Sequence, residues 1–183
     1  MTTQPTLATQ RLILRPFTLA DAPAVQRLAG DAAVADTTAN IPHPYEDGAA
    51  ETWISSHAEQ FEQGTGVVFA ITLKDTNELV GAISLFSIRA ASNRAEMGYW
   101  IGVPYWNKGY GSEAARALLD YSFTQLGLNR VFAEHLVRNP ASGRVMEKAG
   151  MTYEGTLRQH VKKGDHFEDL KVYGILRTEF SGG

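Results

Sequence analysis

Two glycines one residue apart stand in Trp106-Asn107-Lys108-Gly109-Tyr110-Gly111-Ser112-Glu113-Ala114, directly after an extended, aromatic-rich segment. That order reads as a strand running through a tight turn into a helix. Gly109 and Gly111 can take backbone angles closed to other residues, and the first N–H groups of the helix have no partner inside it. Such N–H groups sit at the positive end of the helix, where an anion such as a phosphate is the natural occupant. An ordinary glycine-containing turn would fit the same nine residues, so the neighbouring segments must decide.

Composition narrows the classes. With 183 residues, 44% of them hydrophobic, the chain reads as one domain, residues 1–183, able to bury a core without metals or disulfides. The net charge is -3 and the longest basic run is the pair Lys162-Lys163, so there is no basic stripe for a nucleic-acid partner. Cysteine is absent, which excludes a thiol nucleophile and any cysteine-based zinc site. The five histidines show no ligand spacing, and no bound metal is expected. No apolar run approaches the roughly 18 residues needed to span a bilayer, and the first residues lack the apolar core of a signal peptide. A soluble, cytoplasmic protein without a membrane partner is the expectation.

The element order follows from periodicity. Arg11 to Phe17 alternates as a strand, and Thr18 with Asp21 resembles a capping box opening a helix that runs to Gly30. Asp31 to Tyr45, with Pro42 and Pro44, reads as loop with one helical turn at most. Asp47 to Gln63 is a single amphipathic helix closed by Gly64. Val67 to Leu73 and Glu78 to Ile88 form a hairpin through Lys74-Asp75-Thr76-Asn77, and Arg94 to Ile101 is the next strand. A long helix follows the glycine turn and ends at Gly127, Val131 to Val137 is a strand, and Asn139-Pro140 starts another helix. Tyr153 to Val161 and Phe167 to Leu176 close the chain around Lys163-Gly164-Asp165.

This order, together with three local matches, resembles the GCN5-related N-acetyltransferase (GNAT) superfamily, in its ribosomal-protein N-acetyltransferase (RimJ/RimL-like) branch. The matches are Thr9-Gln10-Arg11-Leu12-Ile13-Leu14-Arg15-Pro16; Glu96-Met97-Gly98-Tyr99-Trp100-Ile101-Gly102 with Trp106 to Ala114; and Asn139-Pro140-Ala141-Ser142 continuing to Glu147-Lys148-Ala149-Gly150-Met151 and Glu154-Gly155. The resemblance covers nearly the whole chain. It implies an α+β fold: a mixed, mostly antiparallel, strongly twisted sheet of about seven strands flanked by about four helices and splayed in the middle for coenzyme A. It also implies acetyl transfer from acetyl-CoA to a primary amine by direct attack in a ternary complex, without a metal.

On that resemblance the strand from Gly98 to Val103 offers its backbone to the pantetheine arm, so Ile101, Gly102 and Val103 count by position rather than by side chain. The pyrophosphate falls to Asn107, Lys108, Gly109, Tyr110, Gly111 and Ser112. Trp106 departs from the superfamily pattern Gln/Arg-x-x-Gly-x-Gly/Ala at its first place, which leaves the holding to backbone amides. Lys108 adds a point charge or is a solvated loop lysine. Glu96, among aromatics near the splay, is the candidate base; a structural ion pair with Arg94 or Arg138 is the alternative. Many superfamily members use a tyrosine as general acid where this chain has Met146, and Ser142 is the replacement, unless it only bonds the helix start. Asn139 caps its helix and bonds the pantetheine or a water.

The acceptor is an amine: the N-terminus of a ribosomal or other protein, or a small molecule such as an amino acid, polyamine or aminoglycoside. The resemblance places its cleft along Ala32 to Glu51, and it admits a homodimer. A rival of another class is an acyl-CoA-binding sensor without turnover. A nucleotide-binding domain is disfavoured, since the chain has neither Gly-x-x-x-x-Gly-Lys-Ser/Thr nor an acidic ribose partner about 20 positions on.

Overall fold

Leu12 and Leu14 are fully buried while Ile13 and Arg15 are not, the period-two pattern of a strand with one face on a core. Strands of this kind build the central sheet of the computed structural model, which describes residues 3–182. Its eight strands are β1 (Leu7–Ala8), β2 (Leu12–Arg15), β3 (Val67–Leu73), β4 (Leu79–Arg89), β5 (Arg94–Ile101), β6 (Arg130–Leu136), β7 (Thr152–Lys163) and β8 (His166–Leu176). They lie in the order β1-β2-β3-β4-β5-β6-β8-β7. Neighbours are antiparallel except β5 and β6, which are parallel.

Helices cover both faces. On one, α5 (Tyr110–Thr124) buries Ala114, Ala115, Leu118 and Leu119, and α6 (Pro140–Lys148) buries Met146, against Phe69, Ile83, Met97 and Val131 of the sheet. Fully burying each leucine is worth about 2 kcal/mol, and such packing, rather than intrinsic propensity, holds a glycine-started helix. On the other face, α1 (Ala22–Ala29), α2 (Ala32–Thr37) and α3 (Ala49–Ser55) pack Val25, Leu28, Val34 and Ile54 on Ala70, Ala82 and Trp100. β5 therefore has two sides. Ala95, Met97, Tyr99 and Ile101 face α5 and α6, while Glu96, Gly98 and Trp100 alternate toward α1 and α3.

Four details differ from the sequence reading. The sheet is extended at its edge, beside β2, by the two-residue β1, too short to carry a pattern of its own. Residues 31–45 contain α2, a real helix whose start is capped by the Asp31 carboxylate accepting from the Ala33 N–H at 2.8 Å. The segment read as one helix from Asp47 to Gln63 is split at Ser56 into α3 and α4 (His57–Glu62). There Ser56 Oγ donates to the Trp53 carbonyl at 2.8 Å, competing with the regular ladder. Thr18 caps a 3-10 turn, Leu19–Asp21, ahead of α1, and the Asp21 carboxylate accepts from the Thr18 N–H at 2.9 Å. Arg15 forks onto the same carboxylate at 2.8 Å.

Candidate active site

The parallel pairing of β5 with β6 runs from Arg94↔Arg130 to Met97↔Ala133 and stops, although β5 stays paired to β4 as far as Ile101 and β6 stays paired to β8 as far as Leu136. Beyond Met97 the sheet is therefore open as a wedge. The Gly102 N–H donates to the Val80 carbonyl of β4 at 2.9 Å, so by alternation the main-chain groups of Tyr99 and Ile101 turn toward the opening. Of the three positions expected to offer backbone to the pantetheine arm, Gly102 thus has its N–H committed to the sheet. The Ile101 carbonyl accepts from Trp106 Nε1 at 2.6 Å. Trp106, out of pattern by sequence, ties the glycine turn back onto the end of β5.

The turn itself carries two left-handed residues, Asn107 at φ 61° and Gly109 at φ 81°. Glycine takes that angle freely, whereas asparagine takes it at some cost. α5 begins at Tyr110, so the N–H groups of Tyr110, Gly111 and Ser112 lie in its first turn without intrahelical acceptors. A Cβ on Gly111 would meet Val145 Cγ2 at 3.4 Å and Ile101 Cγ1 at 3.7 Å. The glycine there keeps α5 close to β5 and α6. Lys108 stands with its Nζ 5.5 Å from the Tyr105 ring centroid.

On the α1 side of the wedge, Glu96 is half-buried opposite Phe132 of β6 and Phe86 of β4. Burial, helped by the charge of Glu134, pushes its carboxyl up to about 7. The ion-pair alternative fails on geometry, because Arg138 is engaged by Asp36 and Glu168, each at 2.8 Å, and Arg94 lies over the Phe132 ring. Glu134 shares the face of Glu96, two residues further along β6. His135 lies on the opposite face, buried, with Nδ1 2.8 Å from the Leu136 carbonyl and Nε2 unpartnered against Gly143.

On the α6 side, Ser142 Oγ lies 2.8 Å from Tyr99 Oη, and Tyr99 Oη also donates to the Ser142 carbonyl at 2.9 Å. Burial drives the Tyr99 phenol well above its ordinary range, so it stays protonated. The Ser142 hydroxyl does not merely bond the helix start; the start is capped by Asn139 Oδ1, which accepts from the Ser142 N–H at 3.3 Å. Asn139 Nδ2 donates to the Thr37 carbonyl at 3.0 Å, so both ends of its amide have partners within the protein. Met146 is buried in the core. Tyr99 is the residue that sequence reasoning missed: strand alternation places it on the α6 face, opposite the start of that helix.

Comparison with known proteins accords with this architecture. Residues 11–152 match the family described as acetyltransferase (GNAT) domain. The chain is 33% identical to the uncharacterized N-acetyltransferase p20 of Bacillus licheniformis over 97% of its own length and 99% of that protein's. It belongs to the GNAT acetyltransferase family. A ribosomal-protein-serine acetyltransferase of Escherichia coli is 31% identical over 63% of each chain. Among solved structures, a GNAT-family acetyltransferase from Bacillus anthracis superposes with a TM-score of 0.85 at 29% identity, over 96% of this chain and 100% of that one. The chain is accordingly an N-acetyltransferase of GNAT type, a family whose acetyl donor is acetyl-CoA.

This GNAT acetyltransferase also has a wall on the α1 side built from distant pieces. The last carbonyls of α2, and that of Thr38 just beyond it, are held by side chains from elsewhere: Lys163 Nζ bonds those of Ala35 and Thr38, Arg138 Nη2 that of Asp36, and Asn139 Nδ2 that of Thr37. Between α2 and the turn joining β7 to β8 lies an open cleft of about 660 Å³, lined by Asp36, Arg138, Lys163, His166 and Glu168. A second cleft of about 420 Å³ extends it past Asn40 and His43. Part of the segment assigned to the acceptor cleft by sequence, 32–43, thus faces an opening. Among the described residues, no helix is long and apolar enough to cross a membrane.

Proposed function

We propose that the chain transfers the acetyl group of acetyl-CoA to a primary amine by direct attack in a ternary complex, and that the acceptor is the N-terminal amine of a ribosomal or other protein. The observation that carries this reading is the wedge beyond Met97 and Ala133, with Glu96 on one face and Ser142 on the other. A thioester laid along the open edge of β5 turns its sulfur toward Ser142 and its carbonyl carbon toward an amine arriving from the side of Glu96.

Glu96, with its carboxyl near 7, takes the proton as the amine nitrogen bonds to that carbon. Open-edge main-chain N–H groups of β5 face the oxygen on which negative charge gathers. The C–S bond then breaks, and Tyr99 Oη turns its proton from the Ser142 carbonyl to Ser142 Oγ, which frees the serine proton for a hydrogen bond to the departing thiolate. The pantetheine arm runs beside Ile101, Gly102 and Val103 and reaches Asn139; Asn107 to Ser112 hold the pyrophosphate with their N–H groups, and Lys108 adds positive charge.

Two observations favour a protein N-terminus. A ribosomal-protein acetyltransferase is among the relatives, and the two clefts beside α2 are open and adjoin along Asp36, Lys163 and Gly164, which leaves room for more of a chain end than its first residue. The test is free-thiol release from acetyl-CoA with a panel of peptides carrying ribosomal-protein N-termini, polyamines, amino acids and aminoglycosides. Release with peptides supports the assignment. Release with small amines alone would move the acceptor to that class, and acetyl-CoA binding without release from any amine would make the chain a sensor.

A further inference from the structure

The segment Thr9-Gln10-Arg11 lies far from the glycine turn in sequence but against it in space. Thr9 Oγ1 donates to Glu113 Oε1 at 2.6 Å, the Arg11 N–H to the same oxygen at 2.8 Å, and Arg11 Nε to Glu113 Oε2 at 2.7 Å. Glu113 belongs to the first turns of α5, immediately after Ser112. Burial alone would raise its carboxyl, yet the bonds from Thr9 and Arg11 outweigh that and hold it below the ordinary glutamate range. With Nε so fixed, Arg11 Nη1 reaches the Lys108 carbonyl at 3.0 Å, and the guanidinium carbon lies 4.9 Å from the Tyr110 ring centroid.

The Lys108 carbonyl sits between the two left-handed residues Asn107 and Gly109. That conformation is not the one an unsupported loop prefers, because Asn107 is strained in it. If the 107–108–109 peptides relax, a carbonyl dipole can rotate into the space where N–H groups should face an anion. An arginine that bonds this carbonyl from outside holds it turned away.

We propose that Arg11, itself locked by Glu113 and Thr9, is a positioning residue for acetyl-CoA: it fixes the Lys108 carbonyl outward and so keeps the glycine turn ready for the pyrophosphate. This rests on the reading that residues 107–112 take the phosphates. The opening motif of the chain then has a role in donor binding as well as in starting a strand.

Calorimetric titration of the full chain with CoA and with pantetheine, which lacks the phosphates, tests both layers. Wild-type protein should bind CoA far more tightly than pantetheine. Arg11→Gln should weaken CoA about tenfold, the scale of one hydrogen bond to a charged group, and leave pantetheine unchanged. Arg11→Lys keeps the charge but cannot reach Glu113 and the Lys108 carbonyl together, so it should fall with the glutamine variant. Glu113→Gln releases the lock and should show the same loss, with the Arg11→Gln/Glu113→Gln double variant no weaker than either single one. Equal wild-type affinities for CoA and pantetheine would overturn the phosphate reading and this proposal with it. Undiminished preference for CoA in Arg11→Gln, or full affinity in Arg11→Lys or Glu113→Gln, would overturn the role of Arg11 alone. So would equal losses for both ligands, which would mark general damage to the fold.

Discussion

Glu96 has its carboxyl near 7 because burial and the neighbouring Glu134 both oppose its ionised form. Between about 4.5 and 7 the folded chain holds a proton there that the unfolded chain has released, so stability falls as pH rises across that window. Glu96→Gln should therefore melt higher than wild type above neutral pH, measured by calorimetry, while its turnover drops roughly a hundredfold. That turnover loss should shrink at higher pH as more of the amine arrives deprotonated. A pH-rate profile of wild-type height and shape would remove Glu96 from the chemistry. Ser142→Ala should lower turnover by about tenfold, and Tyr99→Phe by less, since the serine hydroxyl survives but loses its anchor; if Tyr99→Phe were the more damaging, the tyrosine would have a part of its own. Glu96 and Ser142 were readable as candidates because their residue types and motif positions matched the chemistry. Tyr99 was not, since a tyrosine in a strand pattern looks like any partly buried aromatic until the helix it meets is known.

At the scale of elements, the glycine turn was the most legible piece, because Gly109 occupies an angle that few residues tolerate. Gly109→Ala should strain the turn by about 1 kcal/mol or more and reduce the rise in melting temperature that acetyl-CoA produces. Wild-type protein should also be stabilised far less by pantetheine than by acetyl-CoA; matching shifts would count against phosphate binding by the turn. The wedge was legible only through the family resemblance. The alternation of β5 continues unbroken to Ile101, and nothing in it marks Met97 as the last residue paired to β6. α2 escaped the reading for a different reason: six residues give less than two turns of periodicity, and its carbonyls are satisfied by side chains 102 or more residues away. The break at Ser56 was similarly hidden, since the apolar spacing on its two sides stays in phase.

For the molecule as a whole, a fall in pH acts on stability in opposite senses at two buried groups. His57 is buried against Trp53 and Phe17 with both ring nitrogens unpartnered, and burial lowers it to about 4. The unfolded chain binds that proton first, so stability is lost as pH falls from about 6.5 through 4, opposite in sign to the Glu96 effect over the shared range. His57→Phe should remove that loss and leave the opposing Glu96 slope uncovered, so that on the acid limb of a melting-temperature profile the variant gains stability as pH falls from about 6.5 to 4.5 while the wild type stays nearly level. An unaltered acid limb would place the sensitivity elsewhere. The clamp on α2 bears on how the chain is made. A ribosome releases α2 long before Arg138 and Asn139 exist, so during synthesis the carbonyls of Asp36 and Thr37 have only water for company. The end of α2 is thus among the last parts to set, and a nascent chain stalled short of residue 163 should show α2 amides open to exchange while the hairpin of β3 and β4 is already protected.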